Sequence, residues 1–279
     1  MSTWVLLRGL ARECRHWGRF PALLAEHMPG SQVILLDLPG NGRWNHLRSP
    51  LSVMAMAAQC RTELQARGMA PPYHLLAMSL GAVVAAAWAT SAPHEVARMV
   101  LVNTSMRPFS RFHERLRPEN YGRLLRLALM PADDQTREAC VLAMTSHRLG
   151  PHDAAAAELL AEWVEIRRSA PVSRANALRQ LVAAMRFTAP RVAPVATVLV
   201  LASANDALVN TLCSQQLAQA WQCPVVTHPT AGHDLPLDDG PWLARQLQAW
   251  RAETDRGPDQ GTGQAGYLAW NAARPAGAV

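Results

Sequence analysis

The sequence predicts an α/β fold, in which a mainly parallel sheet of about six strands carries helices on both faces. Continuous apolar runs at 73–78 and 197–202 are typical of strands that are buried on both sides. Segments of helix length separate these runs, and such alternation indicates a parallel sheet. The alternation stops between 105 and 193, where the pattern is helical throughout and indicates an inserted all-helical region.

The predicted strands follow one another along the chain at 3–7, 32–38, 73–78, 98–102, 197–202 and 224–228. Right-handed crossovers between parallel strands place the loops that follow them at one edge of the sheet. Residues in those loops are therefore the first candidates for a functional site.

The inserted region is predicted as four helices, at 118–129, 134–148, 152–168 and 172–187. Pro131, Gly150-Pro151 and Pro171 mark the breaks between them. We expect residues 1–104 and 194–252 to form the core and residues 105–193 to form a cap over its functional edge. Residues 253–279, rich in Gly, Gln, Pro and Ala, are predicted as a poorly ordered tail.

Ser79 lies in a short turn between the strand at 73–78 and a run of small residues at 82–88. Ala77 and Gly81 stand two positions before and after it, where larger side chains would collide with the strand or the helix. Ordinary turns also show this pattern, but it is typical of a nucleophile held on a strained strand-to-helix turn.

Two later loops supply the residue types that a serine nucleophile requires. Asp206 follows the strand at 197–202, and His233 follows the last strand, after Gly232. The order serine, acid, histidine is the one expected for a Ser-His-Asp site on such a sheet. His228 lies at a strand end, where we favour a structural role. Asp234, Asp238 and Asp239 lie beyond His233 and are expected to be solvated loop carboxylates. The other loop that could supply the acid, after the strand at 98–102, holds Asn103, which cannot carry the charge. We predict Ser79 as nucleophile, His233 as base and Asp206 as the acid that orients it.

These motifs resemble those of the α/β-hydrolase family over residues 3–250, with an interruption in the middle. The similar segments are the nucleophile turn, the acid and histidine loops, the oxyanion loop and an Asp-x-Pro-Gly-x-Gly turn, at 77–81, 205–209, 231–233, 5–10 and 37–42. The resemblance implies an α/β-hydrolase fold with a helical cap. It also implies an oxyanion hole formed by the backbone N–H groups of Leu10 and Leu80.

The chain departs from the family pattern at two positions where many members have histidine, Arg8 and Asn41. Arg8 is expected either to cover the site or to be a solvated residue at a strand end. The leading β-hairpin of many relatives is expected to be absent, which would leave the strand at 33–38 at an edge of the sheet. That edge motivates the expectation of a homodimer.

Composition argues against several function classes. All 27 residues counted as Lys or Arg are arginine, which excludes Schiff-base chemistry on lysine. The arginines are spread along the chain despite a net charge of +6, which argues against nucleic-acid binding. Five distant cysteines without a Cys-x-x-Cys pattern argue against disulfides and zinc. Apolar runs are too short for a signal peptide or a membrane span. We expect a cytoplasmic protein with no metal, organic cofactor, nucleic-acid partner or membrane partner.

Four apolar residues of the predicted cap are candidates for substrate binding: Trp163, Met144, Met185 and Phe187. Tryptophan and methionine at helical spacing are more often the packed core of such a cap. Several cap arginines indicate either a solvated helix face or a basic rim that attracts an acidic or carrier-bound substrate. They are Arg167, Arg168, Arg174, Arg179 and Arg186.

A serine nucleophile argues against the dehalogenases and epoxide hydrolases of the family, which the resemblance associates with a carboxylate nucleophile. We therefore predict a serine hydrolase that cleaves a small-molecule carboxylic ester through an acyl-serine intermediate. The alternatives are a thioesterase or a C–C bond hydrolase of the same fold, and a non-catalytic relative that binds its ligand without turnover.

Overall fold

The computed structural model describes residues 2–150 and 153–256. It contains a six-stranded sheet in which every neighbouring pair of strands is parallel. The strands are β1 (Ser2–Leu7), β2 (Ser31–Leu36), β3 (Tyr73–Met78), β4 (Val96–Val102), β5 (Val198–Ser203) and β6 (Val225–His228). All six predicted strands are confirmed, and their bounds differ from the prediction by two residues or fewer.

The strands are arranged in the order β2-β1-β3-β4-β5-β6. The order reverses at β1, because the chain passes from β1 to β2 on one side and then to β3 on the other. Leu6 of β1 accordingly stands beside both Leu35 of β2 and Leu76 of β3. Open parallel sheets bind ligands outside the carboxyl ends of their strands at such a reversal. Gly9 follows β1 and Ser79 follows β3, so both lie at this point.

Ten α-helices accompany the sheet in the described residues. In chain order they are α1 (Phe20–His27), α2 (Val53–Ala66), α3 (Leu80–Ser91), α4 (Phe112–Arg115), α5 (Tyr121–Leu129), α6 (Asp134–Thr145), α7 (Ala154–Ser169), α8 (Arg174–Arg186), α9 (Thr211–Trp221) and α10 (Leu235–Asp255).

The two faces of the sheet form separate apolar clusters, because neighbouring side chains of a strand point to opposite sides. In β1, Val5 and Leu7 pack in the cluster that includes residues of α2, α3 and α9. Trp4 and Leu6 pack in the other, with residues of α1 and α10. Helices thus cover both faces, as predicted.

The segment between β4 and β5 is helical and contains α4 to α8, which we call the helical insertion (Phe112–Arg186). Part of it has its own small apolar cluster, formed by Leu142 of α6 with Ala156, Trp163 and Ile166 of α7. The predicted start of a helix at 152 lies outside the described residues, and α7 begins at Ala154.

The strand β2 lies at an edge of the sheet, as predicted. The prediction extended it to 38, but it ends at Leu36, because the side chain of Asp37 holds neighbouring loops instead. Its two carboxylate oxygens accept the backbone N–H groups of Cys14 at 2.7 Å and Arg43 at 3.0 Å. The homodimer at this edge stays a prediction.

All five cysteines are free. No helix within the described ranges has the length and apolarity needed to span a membrane. The tail was predicted to begin at 253, but α10 continues through Asp255. Residues 257–279, the rest of that predicted tail, lie outside the described part of the chain.

Candidate active site

Ser79 stands between β3 and α3 in a left-handed backbone conformation with a φ of 54°. Non-glycine residues adopt this conformation at a cost, and it is concentrated at functional sites. Close packing holds the turn in place. A Cβ atom on Gly81 would lie 2.5 Å from the carbonyl oxygen of Leu7, and one on Gly9 would lie 3.1 Å from the Cβ of Ser79. The end of β1 is therefore in direct contact with the serine turn.

Asp206 and His233 form a buried hydrogen-bonded pair at the same edge of the sheet. The Nδ1 atom of His233 lies 2.7 Å from the Oδ2 atom of Asp206. The other carboxylate oxygen of Asp206 accepts the backbone N–H groups of Leu208 at 2.8 Å and Val209 at 2.9 Å. These contacts fix the carboxylate, so the imidazole that it holds has a defined orientation.

The charge of Asp206 sets the protonation behaviour of His233. Burial by itself would lower the pKa of His233, because it disfavours the charged imidazolium. The negative charge of Asp206 and its hydrogen bond outweigh burial and hold the pKa above the ordinary value of 6.5. The pair therefore stabilises a protonated histidine within the site.

The backbone around Ser79 offers N–H groups at the two positions predicted for the oxyanion hole. Leu80 is the first residue of α3, and the first N–H groups of a helix have no partner within it. Leu10 directly follows Gly9, which contacts Ser79. The next residue, Ala11, donates its N–H to Oε1 of Gln180 at 3.0 Å, and this contact ties the loop to the helical insertion.

Asn103 supports the histidine loop, a role that the sequence did not reveal. It is buried at the carboxyl end of β4. Its Nδ2 atom lies 2.8 Å from the carbonyl oxygen of His233 and 2.9 Å from Oγ of Ser203. The residue type had excluded Asn103 as the acid of the site, but it indicated no other role. The one sequence signal that could have indicated this role was an asparagine directly after a predicted strand, since its side-chain amide can donate to a neighbouring loop.

The expectation of a solvated or site-covering Arg8 is wrong, as is that of a solvated Asp234. The two side chains are each 3% exposed and form a bidentate ion pair, with distances of 3.0 and 2.6 Å. The Arg8 guanidinium also lies 5.0 Å from the centre of the Trp17 ring. Sequence could not indicate this pair, because 226 positions separate its members. It connects the loop after β1 directly to the residue beside His233.

The expectation of a solvated Asp238 is also wrong, because this carboxylate is buried. It accepts the N–H of Gly232 at 2.6 Å, the hydroxyl of Ser146 at 2.6 Å and the N–H of His147 at 3.0 Å. Its neighbour Asp239 lies 3.2 Å from Nε2 of His228.

His228 has the structural role that the sequence analysis favoured. Its Nδ1 atom accepts the backbone N–H groups of Thr230 at 3.2 Å and Ala231 at 2.8 Å, which fixes the turn leading to His233.

The helical insertion is bonded to the loop after β1 through Arg12. Its Nη1 atom lies 2.5 Å from Oε2 of Glu138, and its guanidinium stacks 4.2 Å from the centre of the Trp163 ring. Gln180 also reaches Asn41 in the loop after β2, at 2.6 Å. The insertion thus contacts the loops after β1, β2, β5 and β6. That it forms a cap over the edge that carries Ser79 stays a prediction.

The four residues predicted to bind substrate are placed differently from one another. Trp163 and Met144 are buried in the helical insertion. Met185 is half-buried, and Phe187 packs against the main apolar cluster. Two surface grooves, of about 820 and 390 Å³, are lined by other residues. Contact of these four residues with a substrate stays a prediction.

The arginines of the predicted basic rim are partly neutralised. Arg167 pairs with Asp134 at 3.1 Å and with Glu138 at 2.9 Å, and Arg168 lies 3.7 Å from Asp134. Within residues 2–150 and 153–256, no group of three or more His, Cys, Asp or Glu side chains is arranged to hold a metal ion.

Comparison with solved structures gives several similar folds. The enol-lactonase from Burkholderia xenovorans LB400 has a TM-score of 0.71 and 15% identity, over 90% of this chain and 91% of that one. The 2-hydroxy-6-oxo-6-phenylhexa-2,4-dienoate hydrolase from Rhodococcus sp. strain RHA1 has a TM-score of 0.70 and 17% identity, over 90% of each chain. A thermophilic esterase from Thermogutta terrifontis has a TM-score of 0.67 and 19% identity, over 91% of this chain and 90% of that one.

Structural likeness at these identities shows a shared fold. No curated protein matches the sequence significantly. A profile of the α/β-hydrolase family, however, matches residues 4–247, which is most of the chain. The chain therefore belongs to the α/β-hydrolase family.

Proposed function

We propose that this protein is a serine hydrolase that cleaves a carboxylic ester through an acyl-Ser79 intermediate. The observation that carries the proposal is the buried hydrogen bond between His233 and Asp206, at the edge where the strained turn presents Ser79. Three loops that follow different strands supply the three residues. A nucleophile, a base and an orienting acid are the groups that acyl transfer requires.

The chemistry begins with His233. Its Nδ1–H donates to Asp206, which leaves Nε2 without a proton and able to accept one from the Ser79 hydroxyl. The serine oxygen then attacks the carbonyl carbon of the ester, and the negative charge moves to the carbonyl oxygen. The protonated His233 gives its proton to the departing alcohol as the acyl-serine forms. Water activated by the same histidine releases the acid and restores Ser79.

The N–H groups of Leu10 and Leu80 would stabilise the carbonyl oxygen when it is charged. Such donors act on charge that exists only in the transition state, and losing one costs about 3 kcal/mol of barrier. The loop after β1 is held by two contacts. Gly9 packs against Ser79, and the N–H of the next residue but one, Ala11, is bonded to the insertion.

A thioesterase and a C–C bond hydrolase would use the same three residues, so the substrate has to distinguish them. The decisive experiment is rapid acid quenching during turnover of p-nitrophenyl esters from acetate to laurate, followed by peptide mass spectrometry. We expect an acyl group on the peptide that contains Ser79 and a burst of p-nitrophenol equal to the enzyme concentration.

An acyl-thioester and a dienoic diketone should be tested in parallel. If the protein turns over the thioester but not the oxygen esters, it is a thioesterase. If it turns over only the dienoic diketone, it is a C–C bond hydrolase. Absence of turnover of every substrate by the folded protein would instead support a protein that binds its ligand without turnover.

The activity should depend on pH through His233. Since the histidine must be neutral to accept a proton, kcat/KM should rise as pH increases through its pKa, with a midpoint above 6.5. Asp206→Asn removes the charge that raises this pKa, so the midpoint should move to lower pH while the rate falls about 10⁴-fold. Asp239→Asn, at the carboxylate that pairs with His228, is the control and should leave the midpoint unchanged. If the midpoint of kcat/KM in Asp206→Asn stays where it is in the wild type, a group other than His233 controls the pH dependence.

A further inference from the structure

Gln180 is a buried amide that the helical insertion places between two loops of the core. It lies near the end of α8 and is fully buried. Its Oε1 atom accepts the backbone N–H of Ala11, in the loop after β1, at 3.0 Å. Its Nε2 atom donates to Oδ1 of Asn41, in the loop after β2, at 2.6 Å. The oxygen and the nitrogen of one side chain therefore hold two different loops.

Asn41 closes these bonds into a ring. It too is fully buried, and its Nδ2 atom donates to the carbonyl oxygen of Arg12 at 2.8 Å. The N–H of Ala11 and the C=O of Arg12 are thus held by two amides that are bonded to each other. A buried polar network in which each amide uses both its donor and its acceptor makes the structure around it rigid. We call Gln180, Asn41 and the backbone of residues 11–12 the amide ring.

The amide ring holds a strained turn. The N–H of Arg12 donates to the carbonyl oxygen of Gly9 at 3.3 Å, so residues 9–12 form a tight turn with Leu10 and Ala11 at its centre. Ala11 has a φ of 53°, in the left-handed region that alanine adopts only at a cost. Such a backbone persists where the surrounding contacts hold it in place. The amide ring supplies contacts of this kind.

The same turn carries one of the N–H groups proposed for the oxyanion hole. Leu10 is one of its two central residues, and a Cβ atom on Gly9, the first residue, would lie 3.1 Å from the Cβ of Ser79. The direction of the Leu10 N–H depends on the backbone torsions of the turn. Since an oxyanion donor must lie at hydrogen-bond distance from the developing charge, a small rotation of the turn would weaken it.

The insertion has a second contact with this loop, which differs in kind. The Nη1 atom of Arg12 pairs with Glu138 at 2.5 Å, and its guanidinium stacks on the ring of Trp163. These contacts hold a long side chain, which can change rotamer without moving the turn. Gln180 bonds the main chain itself, so its loss would reach the turn directly.

We propose that Gln180 is a positioning residue for ester hydrolysis, which holds the oxyanion turn at residues 9–12 in its active conformation from the helical insertion. This role rests on the proposed hydrolase activity, and Gln180 acts through the N–H of Leu10 rather than on the substrate. The charge on the carbonyl oxygen exists only in the transition state. Loss of Gln180 should therefore slow the chemical step and leave ground-state binding of the ester almost unchanged.

The test is Gln180→Met, which keeps the length of the side chain and removes both of its hydrogen-bonding atoms. We expect kcat for p-nitrophenyl esters to fall about 100-fold, the loss that a displacement of about 1 Å can cause. KM should change by less than about twofold. An alkyl trifluoromethyl ketone provides a second readout, because addition of the Ser79 oxygen to its carbonyl carbon places a negative oxygen in the hole. Its affinity should fall in proportion to kcat/KM.

Asn176→Leu is the matched control. Asn176 is a buried amide one helical turn earlier on α8, and it bonds the loop after β2 at Ser49 and Leu47, both at 2.9 Å. This variant also leaves buried backbone groups unpaired, so it should lose stability as Gln180→Met does. The turn at residues 9–12 keeps its contacts, and kcat should stay within about twofold of the wild-type value. All variants are assayed at a temperature where tryptophan fluorescence shows that they are folded.

Asn41→Leu removes the other amide of the ring and should also lower kcat with little change in KM. Gln180→Met/Asn41→Leu should cost little more than Gln180→Met alone, because the two side chains belong to one network. If Gln180→Met does not fold, the effect of Asn41→Leu on kcat and KM decides in its place.

The outcomes separate this role from the hydrolase activity itself. An unchanged kcat in folded Gln180→Met, with an active wild type, would overturn the positioning role and leave the proposed function standing. Equal losses of kcat in Gln180→Met and Asn176→Leu would also overturn it, because they would indicate a general loss of stability. A wild-type protein that turns over none of the substrates would overturn the proposed function, and the positioning role with it.

Discussion

Ser79→Ala should lower kcat for p-nitrophenyl ester hydrolysis by about 10⁴- to 10⁶-fold, the range seen when one member of a cooperating serine triad is removed. The reason is that His233 and the oxyanion donors have no chemistry to assist once the nucleophile is lost. The variant should fold normally, because alanine fits the space of serine. Its left-handed backbone is held by the packing of Gly9 and Gly81 rather than by the hydroxyl.

Comparing Ser79→Ala, His233→Ala and the variant that carries both changes tests whether the two residues act together. If the two residues act as one unit, His233→Ala should cost about as much as Ser79→Ala, and combining them should cost little more. Ser91→Ala, at the exposed far end of α3, is the control and should retain full activity. Retention of more than about a hundredth of the wild-type kcat by Ser79→Ala would assign the nucleophile to another residue.

Arg8→Met should lower the free energy of unfolding by about 3–5 kcal/mol, the typical cost of breaking one side of a buried ion pair. The variant leaves Asp234 buried with its charge unpaired, although the methionine side chain still packs beside Trp17. Urea unfolding followed by tryptophan fluorescence measures the change. The pH profile provides a second readout. Since Arg8 lowers and Asp234 raises the pKa of His233, losing Arg8 should move the midpoint of kcat/KM to higher pH.

Two further variants determine how much of this cost comes from the unpaired charge. Arg8→Met/Asp234→Leu removes both charges and should recover most of the lost stability, because it leaves no buried ion without a partner. Arg168→Met, at an ion pair that is 65% and 39% exposed, is the control and should change stability by less than about 1 kcal/mol. An Arg8→Met variant as stable as this control would mean that Asp234 finds solvent or another partner.

Periodicity and turn chemistry were sufficient to predict the sheet and the identity of the candidate triad. Buried runs such as Tyr73–Met78 are local signals, and a strand that is covered on both faces must be apolar along its whole length. The small residues around Ser79 are also local signals, because larger side chains at those positions would collide with the strand or the helix. A Cβ atom on Gly81 would lie 2.5 Å from the carbonyl oxygen of Leu7, so the requirement for glycine is visible in the sequence itself. Asp206 and His233 followed from their positions after strands.

The polar contacts that hold the site could not be predicted in this way. Whether Arg8 and Asp234 face solvent or one another depends on which loops the strand order brings together, and neither residue has a local signal for burial. Asn103, Asp238 and Arg12 gain their roles from partners on distant segments. The substrate-binding residues remained predictions because a buried Trp or Met has the same helical spacing whether it packs a core or lines a pocket.

The sequence by itself therefore determined the strand and helix pattern, the family and the three residues proposed for chemistry. Each of these depends on a short stretch of chain and on the residue types that its backbone tolerates. The tertiary structure alone decided the buried Arg8–Asp234 pair, the support of His233 by Asn103 and the exposure of Leu125 and Leu129 on α5. The free energy of a charged or apolar side chain depends on what surrounds it, and those surroundings exist only once segments distant in the sequence have come together.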